Sequence, residues 1–283
     1  MARQQVSIPR VINKWTAIKL EHLDAYLQGY VQATKIYGEC YYIDAFAGCG
    51  DCVLEENRWP ILGSPWRALQ AVPPFRECFF VEIDVDSANH LARRLEEVDI
   101  RNAHVFTGDC NEVIPSQVLP RISKRAPSFA FLDPTGLQLH WDTLAALAKH
   151  RSDSRYKMEL LILYPYDMSI NRNLRNPRGQ SALDRFYGTD EWRGELLESA
   201  LVRGEDVAER RERFVGFFVR RLKSLGYTHV ELCGPLYEGH TLKYHMVFAG
   251  DNDTGAKIMR EVWSKPRPIP GELNYKQRKR PQR

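Results

Sequence analysis

The sequence predicts an open, doubly wound α/β domain built on a mostly parallel sheet. Five short apolar runs are typical of buried strands, and a helical segment separates each run from the next. Because parallel strands need a crossover connection, this alternation indicates right-handed crossovers with helices on both faces of the sheet. The composition, 43% hydrophobic and 27% charged, is ordinary for a globular domain.

The predicted elements begin with an amphipathic helix, "WTAIKLEHLDAYLQGYVQATKIYG", which ends at Gly38 and leads into the strand "CYYIDAF". After a loop that contains Trp59 and Pro60, a helix is predicted with Ser64 as N-cap and Pro65 at its first position. Three pairs of strand and helix follow: "ECFFVEID" with "VDSANHLARRLEEV", "AHVFTGD" with the proline-broken "NEVIPSQVLPRI", and "SFAFLD" with "WDTLAALAKH". The fifth strand is "MELLILYP".

Residues from 167 to about 205 interrupt this alternation and are predicted to form a helical, largely polar insertion. A helix, "EDVAERRERFVGFFVRRLKSLG", then precedes the strands "YTHVELC" and "LKYHMVFAG" and a last helix, "DTGAKIMREVW". The turn "PLYEGH" between these strands is too short for a crossover, so the last strand is predicted to be antiparallel. This seven-stranded Rossmann-like arrangement resembles the class I methyltransferase fold, as one domain over residues 1–263.

Residues 264–283 are predicted to form a basic tail outside that domain. The tail contains seven basic residues and one glutamate, although the net charge of the whole chain is only +4. A solvated tail and a phosphate-contacting arm both remain open, because mobile Lys and Arg clusters supply sequence-independent affinity for nucleic acid.

Membrane, secretion and metal signals are weak in this sequence. No apolar run is long enough for a membrane helix, and the N-terminus lacks the apolar core of a signal peptide, so we expect a cytoplasmic protein. Cys49 and Cys52 have the spacing of a redox motif or half a zinc site, but no second pair of ligands follows. We predict no metal site and interpret Cys49 as a small residue in a ligand-facing turn.

The first strand runs into a glycine-containing turn at the place where open α/β sheets bind ligands, outside the carboxyl ends of the strands. Two glycines there permit close approach of the backbone to a ligand, although a purely structural turn is the alternative. A dinucleotide-binding turn needs a third glycine, and position 53 is Val, which counts against NAD. The predicted cofactor-binding residues of this turn are Asp44, Phe46, Ala47, Gly48 and Gly50.

Acidic residues end the next two strands and are further cofactor-binding candidates. Glu82 suits the two hydroxyls of a ribose, because one carboxylate accepts a hydrogen bond from each. Asp84 either assists or is only the N-cap of the next helix. Asp109, followed by Cys110, is placed either to accept a hydrogen bond from an adenine amino group or to form a turn.

The fourth strand ends in "FLDPTG", which resembles the Asp/Asn-Pro-Pro-aromatic loop of enzymes that methylate exocyclic amino groups of bases. In that loop the side-chain oxygen and the proline carbonyl accept hydrogen bonds from the target nitrogen. The resemblance implies that Asp133 and Pro134 are catalytic and that Asp133 also borders the cofactor. Because Thr and Gly replace the second proline and the aromatic, Tyr164 or Tyr166 is the candidate stacking surface, with core packing as the alternative.

A wider set of motifs resembles the three-Cys-motif partner protein family, bacterial proteins with a methyltransferase-like fold. The resemblance extends from Trp15 to Trp263 and is carried by "WTAIKLEHLDAYL", "YIDAFAGCG", "GSPWRAL", "FVEID", "GDCNEVI", "FLDPTGLQLHW", "LLILYP" and "YHMVFA". It implies S-adenosylmethionine binding and a separate partner protein with three cysteines.

The same resemblance directs attention to Lys19, which matches a lysine of the family. A helix that precedes the first strand is able to lie across the cofactor site, where Lys19 would meet the methionine carboxylate or a substrate phosphate. Ser64, Tyr166 and Arg172 complete the predicted substrate contacts.

The leading hypothesis from the sequence is an S-adenosylmethionine-dependent methyltransferase that acts on an amino nitrogen of a nucleic acid base, in RNA or DNA. The alternative is a non-catalytic subunit that binds the cofactor and serves a three-cysteine partner. An NAD-dependent oxidoreductase is disfavoured by the missing glycine and the reversed last strand.

Overall fold

The computed structural model describes residues 8–151, 154–197, 206–238 and 241–268. Ten strands form two sheets in this part of the chain, a small one and a large one. The strands are β1 (Arg10–Ile12), β2 (Tyr41–Asp44), β3 (Asp51–Leu54), β4 (Pro60–Leu62), β5 (Glu77–Glu82), β6 (Ala103–Thr107), β7 (Ser128–Leu132), β8 (Glu159–Tyr164), β9 (His229–Glu238) and β10 (Thr241–Gly250).

The large sheet has seven strands in the order β6-β5-β2-β7-β8-β10-β9. Strand β10 is antiparallel to both of its neighbours, β8 and β9. All other pairs of adjacent strands in this sheet are parallel. The chain moves outward from β2 to β6 and then returns to β7 on the other side of β2, so the strand order reverses between β2 and β7. The mostly parallel sheet with an antiparallel last strand is confirmed.

Helices cover both faces of the large sheet. They are α1 (Lys14–Thr34), α2 (Ser64–Leu69), α3 (Val85–Glu97), α4 (Cys110–Val113), α5 (Trp141–His150), α6 (Asn171–Asn173), α7 (Pro177–Tyr187), α8 (Val207–Ser224) and α9 (Asp253–Trp263). Helix α1 continues into a 3-10 turn that ends at Gly38, whose left-handed backbone (φ 80°) stops the helix as predicted. The prolines after α4 divide the predicted helix into a π-helical turn, Ile114–Val118, and a 3-10 turn, Leu119–Arg121.

Two hydrophobic clusters lie on opposite faces of the sheet. Helices α1, α2, α3 and α9 pack on one cluster, and α4, α5, α7 and α8 pack on the other. Successive strand residues alternate between them, as Tyr42 and Ile43 of β2 do. Burying each large apolar side chain contributes about 1.5–3 kcal/mol, so the two faces together hold the sheet between its helices.

Three local predictions are wrong. The predicted loop around Trp59 and Pro60 belongs to a hairpin, because β3 pairs with β4 and β1 pairs with β3 in the small sheet. Gly63, not Ser64, is the N-cap of α2. The predicted turn "PLYEGH" lies largely within β9, which extends to Glu238, and residues 239–240 lie outside the described ranges.

The insertion contains α6 and α7 and a π-helical turn, Arg193–Leu197. It is less polar than predicted, because Leu183, Phe186 and Trp192 are fully buried in the same cluster as the sheet. Residues 198–205 of the predicted insertion and residues 269–283 of the predicted basic tail lie outside the described ranges.

Candidate cofactor and substrate site

A cavity of about 230 Å³ lies above the carboxyl ends of β2 and β7, where the strand order reverses. Its lining comes from β1 and the first turns of α1, and from residues 46–50 and the start of α2. The loop after β7, from Asp133 to Thr135, also lines it. Ligands of open α/β sheets bind at this position.

The turn after β2 depends on its two glycines. Gly48 (φ 64°) and Gly50 (φ 78°) both have left-handed backbones, which side chains rarely adopt. A Cβ atom on Gly48 would meet no atom within 4 Å, so this backbone borders open space in the cavity. A Cβ atom on Gly50 would lie 2.9 Å from Leu91 and 3.0 Å from Trp66, so the second glycine is also required for packing.

Glu82, at the end of β5, joins this turn to helix α3. Its Oε2 accepts a hydrogen bond from the Gly48 N–H at 2.7 Å, and its Oε1 accepts one from the Asp84 N–H at 2.8 Å. A carboxylate has about four lone-pair sites, so both oxygens retain acceptor capacity for ligand hydroxyls. Asp84 accepts a hydrogen bond from the Ser87 N–H at 2.8 Å and is the N-cap of α3.

Asp109 is the N-cap of the short helix α4, and its Oδ1 accepts hydrogen bonds from the Asn111 N–H at 2.9 Å and side-chain amide at 2.8 Å. Asn111 also donates to the Gln138 carbonyl at 2.7 Å and accepts from the His140 N–H at 2.9 Å and the Thr143 hydroxyl at 2.8 Å. Asn111, which the sequence analysis left without a role, therefore connects the loops after β6 and β7.

Asp44 lies beneath the turn rather than on the cavity surface. Its side chain is fully buried and accepts hydrogen bonds from the Phe46 N–H at 3.2 Å, the Tyr42 hydroxyl at 3.4 Å and the Ser64 hydroxyl. Burial raises the pKa of Asp44 to about 7, although the hydrogen bonds from Ser64 and Phe46 oppose this rise. Asp44 and Ser64 thus shape the turn, and of the two only Ser64 lines the cavity.

Lys19 and Asp133 form an ion pair inside the cavity. The Lys19 Nζ lies 2.5 Å from the Asp133 Oδ2, and the two side chains are 3% and 21% exposed. Pro134 lines the cavity beside them. Helix α1 therefore borders the cavity, and Lys19 contacts the carboxylate of the loop after β7.

Trp15 is a cavity residue that the sequence analysis missed. It lies one helical turn before Lys19, whose Nζ is 5.4 Å from the centre of the indole ring. Residues four apart share a helix face, so this spacing was the available signal. Together with Phe46, Trp15 gives the cavity two aromatic side chains.

Solved structures resemble this chain, whereas no family model and no curated protein matches it. The protein LPL1258 from Legionella pneumophila superimposes with a TM-score of 0.52 over 89% of this chain and 92% of its own, at 12% identity. Trm1 from Pyrococcus horikoshii in complex with S-adenosylmethionine has a TM-score of 0.45 at 15% identity over 87% of this chain, which spans 57% of Trm1. An rRNA methylase from Streptococcus thermophilus has a TM-score of 0.37 at 13% identity, over 82% of this chain and 93% of its own.

The fold is the seven-stranded, Rossmann-like fold that the sequence predicts. The strand order with a reversed β10 identifies it, and the similarity to solved structures is one of fold.

The structure does not place Tyr164 and Tyr166 at the cavity, and their assignment to stacking is corrected. Tyr164 is fully buried in the cluster on the other face of the sheet, and its hydroxyl lies 2.7 Å from that of Tyr187. The neighbouring Leu163 lines the cavity, and successive strand residues point to opposite faces. Tyr166 is buried against Phe214, with 5.6 Å between ring centres.

Five further predicted residues are not part of the cavity lining, namely Glu82, Asp84, Asp109, Cys110 and Arg172. Of these, Glu82 is hydrogen-bonded to the cavity-lining Gly48. Arg172 is exposed on α6 and makes no ion pair within the described ranges. Cys110 is buried at the start of α4, where burial raises the pKa of its thiol to about 12.

Cys49 and Cys52 both line the cavity as free thiols. The Cys49 thiol donates to the Asp51 carbonyl at 3.1 Å, and burial raises the pKa of Cys52 to about 12. In the part of the chain that the structure describes, no group of three or more His, Cys, Asp or Glu side chains is arranged to hold a metal ion. The same part of the chain contains no helix with the length and apolarity needed to cross a membrane.

Proposed function

We propose that the protein is an S-adenosylmethionine-dependent methyltransferase. The observation that carries this proposal is the position of Asp133 and Pro134 in one cavity with the left-handed turn at Gly48, at the point where the strand order reverses. The site fits the cofactor, because the Gly48 backbone borders open space and Glu82 retains acceptor capacity for two ribose hydroxyls. Asp109, at the end of β6, would accept a hydrogen bond from the adenine amino group.

The cofactor supplies an electrophilic methyl group when bound, and the residues of this chain orient the acceptor. Asp133 has one carboxylate oxygen paired with Lys19, while its Oδ1 has no partner within the described residues. That oxygen and the Pro134 carbonyl would accept hydrogen bonds from an amino group and direct its lone pair along the line of transfer. Lys19 holds the carboxylate in place from the wall of α1, where it is 3% exposed.

We further propose that the acceptor is an amino nitrogen of a nucleic acid base. Trp15 and Phe46 offer aromatic surface inside the cavity for a planar ring. Three arginines of the insertion are exposed and form no ion pair within the described residues, so they are available for phosphates. They are Arg172, Arg175 and Arg178.

Two observations favour the accessory-subunit alternative. Thr135 and Gly136 stand where amino-methylating enzymes have a proline and an aromatic residue, and the Lys19 ammonium already occupies one oxygen of Asp133. In this version the protein binds the cofactor and supports a partner with three cysteines.

Binding and transfer measurements with one variant pair test these proposals. Calorimetry measures S-adenosylmethionine affinity, and labelled methyl transfer is followed to bulk tRNA, rRNA and DNA. We expect wild-type protein to bind and to label a nucleic acid, and Asp133→Ala to bind within a few-fold but to transfer about 100-fold more slowly. Asp142→Ala, which removes an exposed carboxylate of α5 outside the cavity, is the matched control and should transfer normally.

Each proposal has its own contradicting result. Absence of cofactor binding by the wild type refutes the methyltransferase. Tight binding without incorporation into any nucleic acid refutes the proposed substrate. Activity that survives Asp133→Ala, together with a co-purifying three-cysteine protein, supports the accessory role instead.

A further inference from the structure

Arg10 brings an uncompensated positive charge to the cavity. Among the described residues, three charged side chains line it, the cations Arg10 and Lys19 and the carboxylate of Asp133. Lys19 and Asp133 neutralise each other at 2.5 Å. Within the ranges that the structure describes, Arg10 forms neither an ion pair nor a side-chain hydrogen bond. The exposed Arg10 therefore carries a positive charge that no described carboxylate of the cavity lining neutralises, whereas the charge of Lys19 is neutralised by Asp133.

The backbone holds Arg10 at the cavity. Strand β1 is parallel to β3, and Arg10 is the register partner of Cys52, which also lines the cavity. Side chains of register partners project from the same face of a sheet. Strand pairing uses backbone groups, so a substitution of Arg10 leaves the position of β1 unchanged.

Glu82 and Arg10 contact the chain before and after Gly50. Glu82 is bonded to Gly48, and Arg10 is paired with Cys52, four residues further along the chain. An extended chain of four residues spans at most about 14 Å, so both groups are within reach of one elongated ligand. A ligand whose sugar hydroxyls meet Glu82 would bring its other end towards Arg10.

We propose that Arg10 binds the carboxylate at the methionine end of S-adenosylmethionine. The inference rests on the proposed function, since it assigns a residue to that cofactor. A guanidinium matches a carboxylate with two parallel hydrogen bonds and keeps its charge at every physiological pH. Arg10 takes one of the two roles that the sequence analysis offered for Lys19, contact with the methionine carboxylate, because the charge of Lys19 is neutralised by Asp133.

Three ligands that differ at the methionine end test this assignment by calorimetry. S-adenosylmethionine and S-adenosylhomocysteine carry the carboxylate, and 5′-methylthioadenosine lacks it. We expect Arg10→Gln to weaken the first two by about 10- to 100-fold and the third by less than about twofold, as for the loss of a charged hydrogen bond. Arg10→Lys keeps the charge and should recover part of the loss.

Arg58→Gln is the matched control, because Arg58 lies in the turn between β3 and β4 of the same small sheet but outside the cavity lining. It should leave all three affinities unchanged. Equal weakening of all three ligands by Arg10→Gln overturns the proposal, since Arg10 would then act through the shape of the cavity. Unchanged affinities combined with weaker nucleic acid binding also overturn it, in favour of a phosphate contact. If the wild type binds none of the ligands, the proposed function itself fails.

Discussion

The buried ion pair between Lys19 and Asp133 predicts energetic coupling between the N-terminal helix and the loop after β7. Lys19→Met replaces the ammonium with an apolar side chain of similar length, and Asp133→Asn removes the negative charge without changing the shape. Each single variant leaves one charge without its partner, whereas the double variant removes both charges. The difference between the sum of the single effects and the double effect measures the coupling.

The burial of the two side chains determines how much each variant lowers the free energy of unfolding. Breaking a fully buried ion pair costs about 3–5 kcal/mol, and an exposed pair is worth about 0.2–1 kcal/mol. Lys19 is 3% exposed, but Asp133 is 21% exposed, so water partly compensates the carboxylate that Lys19→Met leaves behind. We expect Lys19→Met to lower the free energy of unfolding by about 2–3 kcal/mol, with a coupling energy of about 1–2 kcal/mol.

Urea denaturation followed by tryptophan fluorescence measures these changes as shifts of the midpoint at constant slope. Lys257→Met is the matched control, because Lys257 pairs with Glu261 on the surface of α9 at 4.0 Å, with side chains 72% and 57% exposed. The control should cost less than about 0.5 kcal/mol. The reasoning is refuted if Lys19→Met is as stable as the control, or if the effects of the two site variants are simply additive.

Two further predictions concern groups outside the cavity lining. Burial raises the pKa of Glu159 from 4.5 to about 7, so its contribution to stability is present below pH 4.5 and is lost as the pH rises through about 7. Glu159→Gln should remove up to about 3 kcal/mol of this decline between pH 5 and pH 8 in urea titrations, and an unchanged pH profile would contradict the assignment. The pKa of Asp44 is also raised, so the part of the pH-dependent decline in stability that comes from Asp44 remains in Glu159→Gln. Tyr164→Phe should cost about 1 kcal/mol, because the Tyr187 hydroxyl loses its partner, and leave methyl transfer unchanged. A slower methyl transfer at unaltered stability would contradict this prediction and support a role for Tyr164 in the site.

Much of the fold was predictable because it depends on local patterns. Strand and helix periodicities, the stop at Gly38 and the short connection between the last strands act over a few residues. The proximity of Glu82 to the glycine-containing turn was predictable for a related reason, since the carboxyl ends of neighbouring parallel strands meet at one edge of a sheet.

The errors occurred where local signals were short or where the partner was distant in sequence. Strands β1 and β4 have three residues each, and in the described part of the chain each pairs only with β3. Tyr164 was assigned from its place at a strand end, but the side that a strand residue faces depends on the phase of alternation, and here Leu163 takes the cavity side.

By itself, the sequence determined the class of fold and the chain positions at the carboxyl ends of its strands, because periodicity and strand ends are properties of nearby residues. Only the tertiary structure decided which side chains meet there. Lys19 and Asp133 are 114 residues apart, and Arg10 reaches the cavity through a strand pair that no local pattern announced. Contacts of this kind depend on how distant segments pack. The charge balance of the cavity, which among the described residues consists of one neutral pair and one unpaired arginine, was therefore decided only by the tertiary structure.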